Sequence, residues 1–271
     1  MSAPDPDNPP WSLLQALLIW AASVLLLLVP QVCALVYVVV YHYEGVMPPK
    51  AVLFADKTFF LILVSVLAPV HVLTLGLIWA VATLRGRFSA KRVLGWSWPA
   101  NFGVVKSVAL AIFLFLIAMY VSYRFGGQDT DIERLLQSSR AAALITAVLA
   151  ATTAPLVEET IYRGLLYSAF RRAIGPVFAV IVVASMFAGL HVLQYWPNAG
   201  AISAITLLSV VLTVVRARTG RLLPCFVIHL VFNGIQSLII VCEPYLRALY
   251  HSWHPDAVGP GLINFLLDLS R

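Results

Sequence analysis

From Ser12 to Tyr41 the chain runs thirty residues without one Asp, Glu, Lys or Arg. A helix needs about 20 apolar residues to cross the hydrocarbon core of a bilayer. In lipid every backbone N–H and C=O must be satisfied within the structure, so a run of this kind folds as a helix. Six further stretches have the same character, at 58–84, 102–123, 141–170, 175–194, 199–217 and 222–246. The composition agrees, with 61% hydrophobic and 11% charged residues. An ordinary soluble domain carries about 25% charged residues, so this chain has too few to cover a surface in water. A soluble globular enzyme, a disordered chain and a nucleic-acid-binding domain are thereby excluded. The net charge of +6 reads instead as the Lys/Arg excess that orients membrane helices. The expected fold is all-α, a polytopic membrane helix bundle of about seven transmembrane helices.

The first apolar run is too long for a signal-peptide core and lacks a basic flank, so it is expected to stay as a membrane helix. Aromatic pairs mark the span ends, as interfacial side chains do: Tyr41 and Tyr43, Trp96 and Trp98, Tyr120 and Tyr123, Tyr195 and Trp196. No tandem repeat or long linker interrupts the sequence, which is read as a single membrane domain, 1–271, with a motif-bearing core at 141–246. Cys33, Cys225 and Cys242 lie in apolar stretches without a C-x-x-C pair and read as small core residues. Residues 85–98 interleave four basic residues with Trp and Phe, suiting an interfacial segment or a plain cytoplasmic loop. Thr130-Asp-Ile-Glu133 has the form of a capping box opening a short surface helix. With seven spans, nine basic residues, Arg216 among them, fall on the side of the 85–98 loop and seven on the other. Their concentration in short loops puts the N-terminus in the cytoplasm.

Ionisable groups inside spans cost roughly 2.5–3.5 kcal/mol each, so each calls for a reason. They fall in three places: Glu158-Glu159-x-x-x-Arg163, Phe187-x-x-x-His191 and His229-x-x-x-Asn233. At about 100° per residue, Glu159 and Arg163 lie about 40° apart on one helical stripe, whereas Glu158 stands about 140° from Arg163. Glu159–Arg163 is therefore expected as a buried ion pair, and Glu158 as a carboxylate free to face other helices. His229 and Asn233 share one face and carry N–H donors suited to a developing oxyanion. A carboxylate to activate water, a histidine (His191) to position it and two oxyanion donors form a complete hydrolytic set. Counted from the basic helix ends, His229 lies roughly 12 Å deep and His191 roughly 24 Å. Straight parallel helices do not bring these two together, so a tilt or a break is expected.

The three motifs, in this order and each on its own span, resemble those of the CPBP family of intramembrane glutamic endopeptidases. That family includes the type II CAAX prenyl endopeptidases and the bacterial Abi proteins. The approach to the third motif, Gly220-Arg-Leu-Leu-Pro224, is similar to the family's lead-in. The resemblance covers residues 141–246. It implies Glu158 as general base with His191, an oxyanion site of His229 and Asn233, and supporting roles for Glu159, Arg163 and Phe187. Tyr162 stands where the family usually has Phe. No cofactor or metal ligand set is implied. The expected partners are a membrane-associated peptide or protein substrate and the lipid bilayer, and no nucleic acid.

Other readings of the same residues exist. His71, two residues after Pro69 in the second span, has no partner at useful spacing and reads as a buried or pore-side histidine. His251 and His254 make too small a set for a metal. The Glu/His cluster also suits a proton- or ion-coupled transporter, or a non-catalytic immunity or scaffold member of the same fold. Against the transporter stands the lack of repeat symmetry between the two halves. The short chain and minimal loops fit a bacterial inner (plasma) membrane protein.

Overall fold

The computed structural model describes residues 4–126, 136 and 139–253. The capping box after Thr130, His254 and the side chain of His251 lie outside what is described. Among the described residues there are helices and no strands. The helices are α1 (Leu13–His42), α2 (Lys50–Ala55), α3 (Lys57–Ser65), α4 (Leu67–Ala82), α5 (Ala90–Val93), α6 (Val104–Phe125), α7 (Arg140–Ala151), α8 (Thr153–Glu159), a π-helical segment (Thr160–Leu166), α9 (Tyr167–Ile174), α10 (Pro176–Tyr195), α11 (Ala199–Thr219) and α12 (Leu223–Trp253). Seven lengths are long and apolar enough to cross a membrane: 13–42, 57–82, 104–125, 140–174, 176–195, 199–219 and 223–242. The chain is a polytopic all-α bundle of seven such spans.

Local chemistry sets the ends. Ser12 and Gln15 form a reciprocal capping box at the start of α1. The Asp56 carboxylate accepts from the amides of Thr58 and Phe59 and starts α3. Gly220, at φ +64°, supplies the left-handed residue that ends α11. Gly200 lets α11 pass against the end of α6, because a Cβ there would stand 2.9 Å from the Ser122 backbone.

The two ends of the bundle sort as alternating crossings demand. At one end Asp7 pairs with Arg171, Arg172 donates to the carbonyls of Pro9 and Trp11, and Leu222 N–H donates to Gly95 O. The N-terminal segment and the links after spans two, four and six therefore meet there. The 85–98 segment is packed against this end, with Val93 and Leu94 buried, Trp96 edge-on to Phe226, and its four basic residues exposed. Arg216 corrects the loop assignment: its side chain is fully buried inside the bundle. Cys33 is exposed on the outer face of α1 and is no core residue, whereas Cys225 is buried and donates to Leu212 O.

Span four is the interior element. Its second half packs against α1, α4, α10, α11 and α12. It is not one continuous helix. It breaks at Thr152 (φ −120°, ψ −72°) and changes to π geometry over Thr160–Leu166, and all seven residues of that segment are buried. Pro155 has no N–H to continue the ladder back across the break.

Candidate active site

Glu159 and Arg163 lie on the π-segment side of span four with no solvent exposure, and Arg163 Nη1 donates to Glu159 Oε1 at 2.9 Å. The ion pair expected from helical phase is present. Arg163 has further partners on α11: Nε donates to Thr213 Oγ1 (3.2 Å), and Nη2 to Ser209 O (2.9 Å) and Ser209 Oγ (3.1 Å). Its guanidinium also sits 4.6 Å from the Phe187 ring centroid. A buried guanidinium needs most of its donors met, and these contacts meet them.

Glu159 does more than hold Arg163. Its Oε1 also receives His229 Nδ1 from α12, at 2.8 Å. Because that oxygen already faces a guanidinium, it acts as acceptor, and the proton resides on Nδ1. The remaining nitrogen of His229, Nε2, lies 3.7 Å from Glu158 Oε2. Glu158 thus turns away from Arg163 and toward the histidine, as the helical phase requires. Its side chain keeps 27% of its exposure, while His229 keeps 3% and Glu159 none. Adjacent carboxylates have different fates: one is sealed in, the other reaches an accessible surface.

His191 and His229 do not touch; Phe187 stands between them. Its ring stacks on His191 at 4.5 Å and meets His229 edge-on at 6.0 Å. His191 Nδ1 bonds to the Phe187 carbonyl at 2.8 Å, which acts as acceptor and leaves Nε2 unprotonated in the neutral ring. One aromatic ring thus links the two histidines. Tyr162 packs edge-on to the same ring at 5.1 Å, and Trp20 of α1 donates to its hydroxyl at 3.1 Å. Asn233 donates through Nδ2 to Ala150 O at 3.0 Å, taking up a carbonyl at the end of α7 beside the break. One amide N–H of Asn233 is thereby used.

The sequence reading missed several participants. Ser209, Thr213 and Arg216 form a polar stripe at i, i+4 and i+7 on a mostly apolar span, a signal that was available. Arg216 Nε donates to Arg163 O (2.9 Å) and Nη2 to Ser168 Oγ (3.1 Å). Trp11 Nε1 donates to Leu165 O at 3.1 Å. Both carbonyls belong to the π segment, so side chains from α11 and the N-terminal segment brace the stretch that carries Arg163. His71 of α4 also has a partner, since its Nδ1 lies 2.8 Å from Thr153 Oγ1. Among the described residues no three His, Cys, Asp or Glu side chains gather closely enough to hold a metal ion.

The family model of Rce1-like type II CAAX prenyl endopeptidases matches residues 140–235. Over those residues the chain is similar to that family. No curated protein and no solved structure matches the chain. The Rce1-like core ends two residues beyond Asn233 and contains all three motifs. At the level of that family, the likeness supports a protease, hence a hydrolase, reading of the chain. With its seven apolar spans it is an integral multi-pass membrane protein.

Proposed function

We propose that the chain is a metal-independent intramembrane endopeptidase in which Glu158 is the general base. His191 positions the attacking water, and His229 with the second amide N–H of Asn233 stabilises the oxyanion. The observation that carries this reading is the two-sided hold on His229, with Nδ1 on Glu159 and Nε2 toward Glu158. A carboxylate on Nδ1–H fixes the tautomer and stabilises the imidazolium, as in the carboxylate–histidine pair of a serine protease. In that state Nε2–H is a donor aimed at the accessible side, where charge develops in a tetrahedral intermediate. Arg163 donates to the same Glu159 oxygen and supplies its counter-charge. Glu158 removes a proton from water as the oxygen adds to the scissile carbonyl carbon. The end of the bundle with the N-terminal segment and the 85–98 segment faces the cytoplasm, and the membrane is the bacterial inner membrane.

The test is cleavage in phospholipid nanodiscs of an internally quenched, farnesylated peptide ending in Cys, two aliphatic residues and a variable residue, before and after exhaustive chelation. Turnover that survives chelation is the expected outcome. Loss that zinc restores makes Glu158, His191 and His229 metal ligands instead, with a metal-bound water as nucleophile.

A further inference from the structure

The proposed function leaves the 85–98 segment without a role, yet the segment is firmly built. Helix α4 stops at Ala82, and the chain then turns through three consecutive left-handed residues: Leu84 (φ +48°), Arg85 (φ +57°) and Gly86 (φ +91°). A leucine and an arginine rarely adopt this conformation, so their surroundings must hold it. Thr83 Oγ1 accepts from Gly86 N–H at 2.8 Å, Thr83 O from Phe88 N–H at 2.9 Å and Ala80 O from Arg85 N–H at 2.7 Å. At the other end, Val93 and Leu94 are buried and Gly95 O accepts from Leu222 N–H at 2.8 Å. The segment is clamped to the bundle on both sides.

Its charges all face outward. Arg85, Arg87, Lys91 and Arg92 are exposed, and none of the four has an ion-pair partner among the described residues. Arg218 and Arg221 are exposed on the link after span six, which packs on this segment: a Cβ on Gly95 would stand 3.5 Å from Arg221 Cα. The N-terminal segment and the links gathered at this end contain only two acids, Asp5 and Asp7. Asp7 is taken by Arg171, and Asp5 Oδ1 accepts from the amides of Asp7 and Asn8. The chain itself offers this face no counter-charge.

Two tryptophans place the face at the edge of the bilayer. Trp79, on the last turn of α4, is 51% exposed, and Trp98, at the end of the segment, is 40% exposed. Exposed Trp beside a span sits at the level of the lipid headgroups. The left-handed turn lies against the Trp79 ring, since a Cβ on Gly86 would stand 3.7 Å from it. Arg85 and Arg87 therefore project where lipid phosphates lie.

We infer that this face is a binding surface for anionic phospholipid, with Arg85, Arg87, Lys91 and Arg92 as a preset cradle for the headgroup. A guanidinium engages phosphate through two parallel N–H bonds, and an ammonium adds a point charge. Because the backbone is already fixed, little ordering is left for binding to cost. An acidic peptide would meet the same cations, but the depth set by Trp79 and Trp98 favours lipid.

The experiment measures fluorescence quenching by brominated phosphatidylglycerol against brominated phosphatidylcholine in reconstituted vesicles. The signal of Trp98 is isolated by difference from Trp98→Phe. A juxtamembrane Lys or Arg strengthens contact with an anionic surface about 5-fold, so the wild type should prefer phosphatidylglycerol by at least that factor. The preference should shrink in 1 M KCl, where the screening length is about 3 Å. Replacing all four cationic residues by Gln should cut it to less than about 2-fold, the change expected once that electrostatic contribution is gone. Melting should stay that of the wild type, because these side chains hold nothing inside the bundle. Lys57→Gln with Arg124→Gln, which removes two exposed cations at the opposite end, should leave the preference intact. Equal affinity for the two lipids in the wild type, or a preference that survives in the fourfold variant, overturns the inference. So does a preference that falls as far in the opposite-end variant, which would make it an effect of net charge. A soluble glutamate-rich peptide that binds the wild type in the absence of any lipid preference would overturn it too, and make the face a protein dock.

Discussion

The two faces of span four differ more than two adjacent residues usually do. On the face of Glu159, the polar partners are buried: Arg163 and His229 meet its Oε1, and Ser209 and Thr213 hold Arg163 in turn. On the face of Glu158, the carboxylate keeps partial exposure and has His229 Nε2 at 3.7 Å. A closed network in low dielectric is rigid, and breaking it is costly. An open carboxylate beside histidines is available for proton transfer. The helix pairs a group that cannot move with a group that can react, and the first holds the second's partners in place.

The sharpest way to break the closed side is Arg163→Ala. It leaves Glu159 uncompensated inside the bundle, which typically costs about 3–5 kcal/mol, so the variant should accumulate poorly or melt far below the wild type in detergent. Normal melting would mean that the pair does not hold the bundle. A smaller change is Thr213→Val, which removes one hydrogen bond to the guanidinium and leaves its carboxylate in place. Bonds to charged groups are worth about 1.5–3 kcal/mol. The expected result is a stability loss in that range, read by denaturation in detergent, with turnover retained.

A third carboxylate marks the lower end of the scale. Asp56 sits between α2 and α3, where it caps α3, receives the Tyr43 hydroxyl at 2.7 Å and lies 3.2 Å from His42 Nε2. Burial pushes this carboxyl up, but the Tyr43 hydroxyl, the amides of Phe59 and Thr58 and the charge of His42 outweigh it, so the net direction is down. A carboxyl with a lowered native pKa adds stability above its unfolded value of about 3.9 and loses that contribution as pH falls through the native value. Asp56→Ala should cost about 1 kcal/mol at neutral pH, the usual worth of an N-cap. The gap to the wild type should close in acid; a gap that is constant with pH would show that the Asp56 charge contributes nothing.

The spans were legible because apolar length is a strong signal, and their observed ends lie within two residues of the expected ones except for span seven, which ends at 242 rather than 246, and span four, which runs on to Ile174. Extra length there follows from Phe170 to Ile174 continuing as an amphipathic helix with Arg171 and Arg172 on its polar side. The Glu159–Arg163 pair was legible from phase alone. The π segment was not: nothing in Thr160–Leu166 marks it locally, and it is braced by Trp11 and Arg216, which are remote in sequence. Arg216 was misplaced for the same reason. Three residues from the end of α11 it reads as a loop charge, until the carbonyl it satisfies is known. His71 lacked a partner because spacing within one span cannot reveal Thr153 on another.

Turnover and melting temperature measured together on Glu158→Gln and Glu159→Gln test the central claim most directly. Glu158→Gln should melt like the wild type and lose turnover by about 10²–10⁴, the worth of a general base. Glu159→Gln removes the counter-charge of Arg163 and the anchor charge of His229, so its melting temperature should fall along with its activity. A Glu158→Gln variant that is unstable, beside a Glu159→Gln variant that is stable and inert, would reverse the two roles and contradict the account.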